Sequence, residues 1–531
     1  MTNPARIFSR VDEFLRSCNP LTPYGRDLKD GAEFITDAER LDRELALTGF
    51  FIALLKSPAF AGDKIRWHLK RVPRIETDFS CVYDSAGVFE IKKFLYNASC
   101  VHGLLPAEAR EELDFDWPLG ELLGLLSPDG EAESFYIAAD PGSELALLRA
   151  NIEKLDARIA ALKAKRCRLL MKKYGLDFSA RQFVVLDAEK AGAYSENDIF
   201  FEPHDSASVI AKPVFGHEYG EFLSEREKLA LAERCAVAEK LRELSRAINQ
   251  NGPALSAAVR AVERTDVFLA KALFALENNL VRPEFSCDPD APVTLENGEF
   301  SPLKNRLAEE GLKYTPLNCE FKKRVALIYG SNMGGKTVAL QTVAFFQFLA
   351  QGGFFVPAGR FKTRIFDAVR FAGGSEGDGA DGLSGFGREV SAFNEAYPAC
   401  FKTTLLLMDE FARTTNSVEA RALLSAITGT LAERQGVLTL LATHFADIAR
   451  HGQAAAWRMR GFDARAFDKY FGGCAVPPAE RLRAINRFMR YELIADDGSH
   501  KGSDALSVAR ILGLDAGIID LAERELDSRR S

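Results

Sequence analysis

Lys336 and Thr337 close the run Gly330-Ser-Asn-Met-Gly-Gly-Lys-Thr, which follows the apolar Val325-Ala-Leu-Ile-Tyr and precedes a helix-forming stretch, Val338 to Ala350. Glycines at such a junction let the backbone turn tightly, so that several N–H groups and the N-terminus of the coming helix face phosphate oxygens. A lysine there reaches the β and γ phosphates of a nucleotide, and the hydroxyl beside it serves Mg²⁺. The spacing therefore predicts a site for ATP and Mg²⁺, lined by Gly330, Ser331, Asn332, Met333, Gly334, Gly335, Lys336 and Thr337.

Two further apolar runs end in polar residues that such a site needs. Leu405-Leu-Leu-Met leads into Asp409-Glu410. Asp409 at a strand end is placed to hold Mg²⁺ together with Thr337, and Glu410 to polarise an attacking water. Alone, an apolar-Asp-Glu sequence is usually structural; its position after a complete phosphate-loop sequence gives it meaning. Val437-Leu-Thr-Leu-Leu-Ala leads into Thr443-His444, and the strand-end position predicts that His444 senses the γ-phosphate. The catalytic set read from sequence is thus Lys336, Glu410 and His444. Between these elements lies a glycine-rich segment, Gly373 to Glu389, which includes Ser384 and which by itself reads as a plain loop.

Apolar strands alternating with helical stretches from Val325 onward imply a largely parallel, buried sheet. The expected class is α/β, with the nucleotide-binding domain at residues 285–531. Upstream, Leu148, Ile152, Leu155, Ile159, Leu162 and Leu169 repeat at heptad spacing in a Pro- and Gly-free segment. A second breaker-free segment, Ser224 to Ile248, is its expected partner. Together they predict a long antiparallel helical arm over 143–250, with a small tip insert near 176–220 that holds the β-prone Gln182-Phe-Val-Val-Leu and Ser208-Val-Ile. Residues 1–142 read as a mostly helical core, and 251–284 as a helical return to it.

At 531 residues, 47% hydrophobic and 27% charged, the chain suits several packed domains rather than a disordered or fibrous protein. A formal net charge of −7 means that any contact with nucleic acid must come from a local patch. Such a patch is present: Lys163, Lys165, Arg166, Arg168, Lys172, Lys173 and Arg181 gather near the arm tip, with Asp177 the one acid among residues 163–181. They could neutralise phosphates without reading sequence; the plainer alternative is a solvated helix face. The nine cysteines form no CxxC pair. With no apolar run of membrane length and no secretory leader, the expectation is a cytoplasmic protein without membrane contact.

Taken together, Gly-Ser-Asn-Met-Gly-Gly-Lys-Thr, Leu407-Met-Asp-Glu-Phe-Ala-Arg-Thr-Thr-Asn416, Ala442-Thr-His-Phe445 and the stretch Tyr491 to Leu526 resemble the MutS family of ATPases, relatives of the ABC and SMC nucleotide-binding domains. The resemblance covers about 240 residues and implies a Walker A loop, a Walker B strand and C-terminal dimerisation helices. It also implies a homodimer in which Ser384 of one chain reaches the γ-phosphate held by the other. Tyr314 is a candidate to stack on adenine, its alternative being a core tyrosine. The chain departs from the family pattern at Ala412 and Thr414, where glycine is usual, and at Gly385, where threonine is usual. No segment resembles the family's mismatch-reading domain with its Phe-x-Glu motif, and an appended nuclease domain is not expected.

The resemblance leaves two loads open for the same engine. One is duplex or branched DNA, as in mismatch repair. The other is a protein client, as for the MutS-like ATPases that reactivate cobalamin-dependent aminomutases.

Overall fold

The computed structural model describes residues 3–31, 33–128, 137, 139–140, 142–330, 334–373, 385–413, 415–445, 448, 453–471, 485, 487–496 and 504–528. The chain divides into two compact units. One comprises Thr22–Tyr24 and Asp63–Glu263, the other Met1–Leu21, Gly25–Gly62 and Arg264–Ser531. Residues 1–62, read from sequence as the start of a core ending at 142, thus group with the C-terminal unit except for Thr22–Tyr24.

In the first unit, the helix Glu144–Tyr174 starts where the Ser143 hydroxyl accepts from the Ala146 N–H and stops at Gly175, whose φ of +72° suits glycine. The helix His217–Gln250 packs along it. Arg149 meets Glu233 at 2.9 Å and Asp156 meets Arg226 at 3.1 Å, so partner numbers fall along one helix as they rise along the other, and the pair is antiparallel. Leu155 and Ile159 are buried as the heptads predict, but Leu169 is 51% exposed and Leu170 takes the inward place. Leu170 is buried by the tip, in a cluster with Phe178, Ile199 and Ala211.

Between these helices, β1 (Val184–Asp187), β2 (Ile199–Pro203) and β3 (Ser208–Pro213) form an antiparallel sheet in the order β1-β3-β2. Its inner face closes over Leu170, Phe178, Ile199 and Ala211.

The second unit holds two sheets. The smaller joins β4 (Glu284–Ser286), β5 (Val293–Gly298), β6 (Leu317–Phe321) and β8 (Arg360–Arg364) in the order β4-β8-β5-β6. The larger joins β7 (Val325–Tyr329), β9 (Ala368–Gly373), β10 (Thr404–Asp409), β11 (Val437–Thr443), β12 (Ala454–Phe462) and β13 (Met489–Ala495) in the order β13-β12-β7-β11-β10-β9. All neighbours in it are parallel except the β12–β13 pair.

Both faces of this sheet are covered, which is why its central strands read as unbroken apolar runs. Leu405 and Leu407 turn to a core shared with the helix Lys336–Gln351, while Leu406 and Met408 turn to one shared with the helices Gly385–Ala396 and Ser417–Ala432. The N-terminal helices Pro4–Ser9 and Val11–Leu15 complete the first core: Phe8 stacks on Phe371 at 4.1 Å, and Phe14 meets Phe274 and Phe345 at 4.8 and 5.4 Å.

At the far end of Lys336–Gln351, Gln351 is fully buried. Its side-chain amide donates to Ile35 O (2.8 Å) and Phe366 O (2.9 Å), and the Ile35 N–H donates to the Gln351 backbone carbonyl (2.8 Å). Every buried amide group there has a partner, so the helix is braced at the end opposite Lys336.

Candidate functional site

Parallel neighbours finish at the same edge of a sheet. Asp409 pairs with Ala442, and Ala442 with Ile328, so Asp409-Glu410, Thr443-His444 and Tyr329-Gly330 leave the strands side by side. This C-terminal edge is where open α/β sheets bind ligands.

The chain turns after β7 with φ of +148° at Gly330 and +92° at Gly335, a conformation side chains resist. A Cβ at Gly330 would also stand 3.1 Å from the Met459 Cβ. Lys336 then opens the helix with its side chain 2% exposed, its ammonium donating to Gly330 O at 2.9 Å and facing Glu410 Oε1 at 3.5 Å. The Thr337 hydroxyl donates to Asp409 Oδ1 at 3.2 Å.

Glu410 is the hub. Its Oε1 also accepts from His444 Nε2 at 2.9 Å, and its Oε2 from Arg413 Nη1 at 2.9 Å. Its N–H donates to Ala442 O at 3.0 Å, which fixes it to β11. The backbone here is strained: Glu410 and Ala412 have φ of +49° and +63°.

Burial pushes the Asp409 carboxyl above the usual range, against the hydrogen bond from Thr337. Burial acts in the same sense on Glu410, but His444, Lys336 and Arg413 together carry it below the usual range. Burial lowers the affinity of the Lys336 ammonium for its proton despite Glu410, and burial with the neighbouring Lys336 does the same to His444. The edge thus holds one carboxylate kept ionised by cations, beside a hydroxyl–carboxylate pair of oxygens suited to a hard cation.

The structure therefore brings Gly330, Gly334, Gly335, Lys336, Thr337, Asp409, Glu410 and His444 to one region. Ser331, Asn332, Met333, Ser384 and Thr414 lie outside the described residues. Tyr314 packs against the core beside Phe300, whose N–H donates to its hydroxyl at 2.8 Å, and burial pushes that hydroxyl up to about 12.

Two residues given no role from sequence enter the site. Arg413 lies in the Leu407–Asn416 motif and grips Glu410. Glu389, at the end of the glycine-rich segment, is 5% exposed and accepts from the Ala412 N–H at 2.7 Å. Neither carries a local signal, since only the fold brings Glu389 to residue 412.

The basic cluster of the other unit is partly spent within its own tip. Arg166 and Lys173 each reach Asp198 at 2.7 Å, Arg166 also bonds Val214 O and Asn197 O, and Lys163 lies over the Phe215 and Tyr219 rings. Lys165, Arg168, Lys172 and Arg181 are exposed.

Fold and site together define an α/β domain with a parallel sheet whose C-terminal edge gathers a buried lysine, a hydroxyl–carboxylate pair and a carboxylate–histidine pair. Residues 326–528 match the family described as MutS domain V, so this region of the chain is similar to that family. It is 27% identical over 271 residues to the DNA mismatch repair protein MutS of Haloquadratum walsbyi, covering 51% of this chain and 27% of that protein. It is 32% identical over 210 residues to the protein of the same name from Lactobacillus delbrueckii subsp. bulgaricus, covering 40% and 24%. For that of Streptococcus mutans the figures are 30% over 189 residues, 36% and 22%. The chain spans about a quarter of the length of the relatives it matches. Among the described residues no helix is long and apolar enough to cross a membrane.

Proposed function

We propose that this chain binds ATP with Mg²⁺ at the sheet edge, hydrolyses it, and uses the cycle to switch a homodimer that acts on DNA. The observation that carries the reading is the meeting of Lys336, Thr337, Asp409, Glu410 and His444 where β7, β10 and β11 end.

The residues fit the ligands by their chemistry. The positive-φ turn at Gly330 and Gly335 and the N-terminus of Lys336–Gln351 present N–H groups to an anion. Lys336 exchanges its contacts with Gly330 O and Glu410 for phosphate oxygens. Thr337 Oγ1 and Asp409 Oδ1 supply the one hydroxyl and one carboxylate that Mg²⁺, which keeps most of its waters, takes from protein. Mg²⁺, when bound, neutralises charge on the β and γ phosphates. Glu410, held ionised, accepts a hydrogen bond from the attacking water, and His444 orients that carboxylate from its other side.

The dimer, with Ser384 reaching the partner's nucleotide, rests on the family resemblance, and so does a cytoplasmic location. DNA as the load is supported by the names of the relatives and by the exposed cations of the arm tip.

The test is phosphate release by the full chain, alone and with homoduplex, mismatched or branched DNA, beside Glu410→Gln. Release above that variant, altered by DNA, is expected. No release in any condition overturns the hydrolysis, and release indifferent to DNA, with no DNA binding at low salt, turns the load toward a protein client.

A further inference from the structure

Within three residues of the end of β10 the chain does something costly. Glu410 and Ala412 both adopt left-handed φ, +49° and +63°, in a turn closed by the Arg413 N–H on Glu410 O at 3.2 Å. Non-glycine residues stay in that region only where their surroundings force them to. On the β11 side the constraint is the bond from Glu410 N–H to Ala442 O. On the other side the turn is gripped by the helix Gly385–Ala396.

That helix makes two contacts one turn apart on the same face. Glu389 accepts from the Ala412 N–H at 2.7 Å, and the Phe393 ring lies 5.7 Å from that of Phe411. Glu389, Phe411 and Ala412 are 5%, 3% and 1% exposed. A carboxylate is an expensive group to bury, and burial does raise its pKa. Its place here is matched to a backbone N–H that a left-handed residue turns away from the strand ladder and that would otherwise be buried without an acceptor.

We propose that Glu389 is a positioning residue for ATP hydrolysis: by holding the Ala412 N–H it fixes the strained turn that aims Glu410 at the attacking water. The inference rests on the hydrolytic role proposed for Glu410. Glu389 does not touch the reacting atoms; it acts through the backbone of residue 412.

The test uses the full chain and reads steady-state ATPase together with equilibrium nucleotide binding. Glu389→Ala is expected to keep nucleotide affinity while kcat falls about 10- to 100-fold, the range over which a misplaced catalytic group loses rate. Glu389→Gln, whose amide oxygen can still accept from the Ala412 N–H, regains most of the rate. Ala412→Gly placed in the Glu389→Ala background regains part of it, because glycine adopts the turn without the bond. Rescue by a change at residue 412 is not expected of a helix that merely fills space.

Glu389→Ala with wild-type kcat, while Glu410→Gln is inactive, overturns this proposal alone. So does a loss of affinity and kcat together that neither Glu389→Gln nor Ala412→Gly repairs. Glu410→Gln turning over like the wild type overturns it together with the reading it rests on. Should Glu389→Ala not fold, Glu389→Asp, shorter by one methylene, takes its place in the same comparison.

Discussion

His444 Nε2 lies 2.9 Å from the Glu410 oxygen that Lys336 Nζ faces at 3.5 Å, so two donors converge on one carboxylate oxygen while Arg413 holds the other. The arrangement keeps the group ionised and aimed. Glu410→Gln preserves its shape and removes its basicity, so turnover is expected to fall by about 10²- to 10⁴-fold, the weight of a general base. ATP binding is retained. Phosphate-release kinetics and nucleotide titration of the same preparation check both halves.

Lys336 is tied to its own loop by the bond to Gly330 O and is almost wholly buried. Its ammonium is therefore preorganised for a phosphate. Lys336→Ala is expected to weaken ATP binding by about 10- to 100-fold, as for loss of one charged hydrogen bond. A titration with unchanged affinity would remove the phosphate-loop reading itself.

At the arm tip, Asp198 accepts from Lys173, Tyr174 and Arg166, each at 2.7 Å. Hydrogen bonds from Lys173 and Tyr174 hold its carboxyl far below the usual range. Its folded pKa lies below the ~3.9 of an unfolded aspartate, so the stabilisation is complete above that pH and is lost as the pH falls through the lowered folded value. Asp198→Asn is expected to cost the tip about 2 kcal/mol of local stability at neutral pH. Hydrogen exchange of residues 184–213 reads this directly: protection in the wild type should persist at pH 4.5 and fade in stronger acid, whereas the variant is less protected at pH 4.5 and above, and the two converge in strong acid.

If the tip meets DNA, the contacts come from the cations left exposed. Replacing Lys165, Arg168, Lys172 and Arg181 by glutamine should reduce the slope of log affinity against log salt by about 3 to 4, at ~0.9 per released phosphate contact. Homoduplex binding measured across a salt series checks it, and an unchanged slope would remove the tip from the interface. Arg166 and Lys173 are unsuitable for this test because they support Asp198.

What the sequence disclosed depended on how local each cause is. The run Val325–Tyr329, the helix after it and the strands ending at Asp409 and Thr443 were readable because burial on both faces leaves unbroken apolar runs. The strand Ala454–Phe462 was not read. Its Ala, Arg and Met favour helix, and pairing with β7 and β13 overrides that preference. The strand Ile199–Pro203 escaped for a similar reason, being five residues long and ending in Glu-Pro. Leu170 rather than Leu169 is buried because the tip sheet packs on it, a contact that heptad spacing does not encode. The strand-end acids and His444 announced themselves by position, whereas Arg413 and Glu389 gain meaning from contacts that no local pattern encodes.

The clasp between Gln351 and Ile35 bears on how the gene can be dissected. A fragment cut at residue 285 would keep Lys336, Asp409, Glu410 and His444 but leave the Gln351 amide without Ile35 and bare the faces that Phe8, Phe14 and Phe274 cover. Such a fragment invites aggregation. Met1–Leu21 and Gly25–Gly62 wall the C-terminal unit, so a minimal version is expected to need both ends of the chain, fused or co-expressed, rather than one of them truncated.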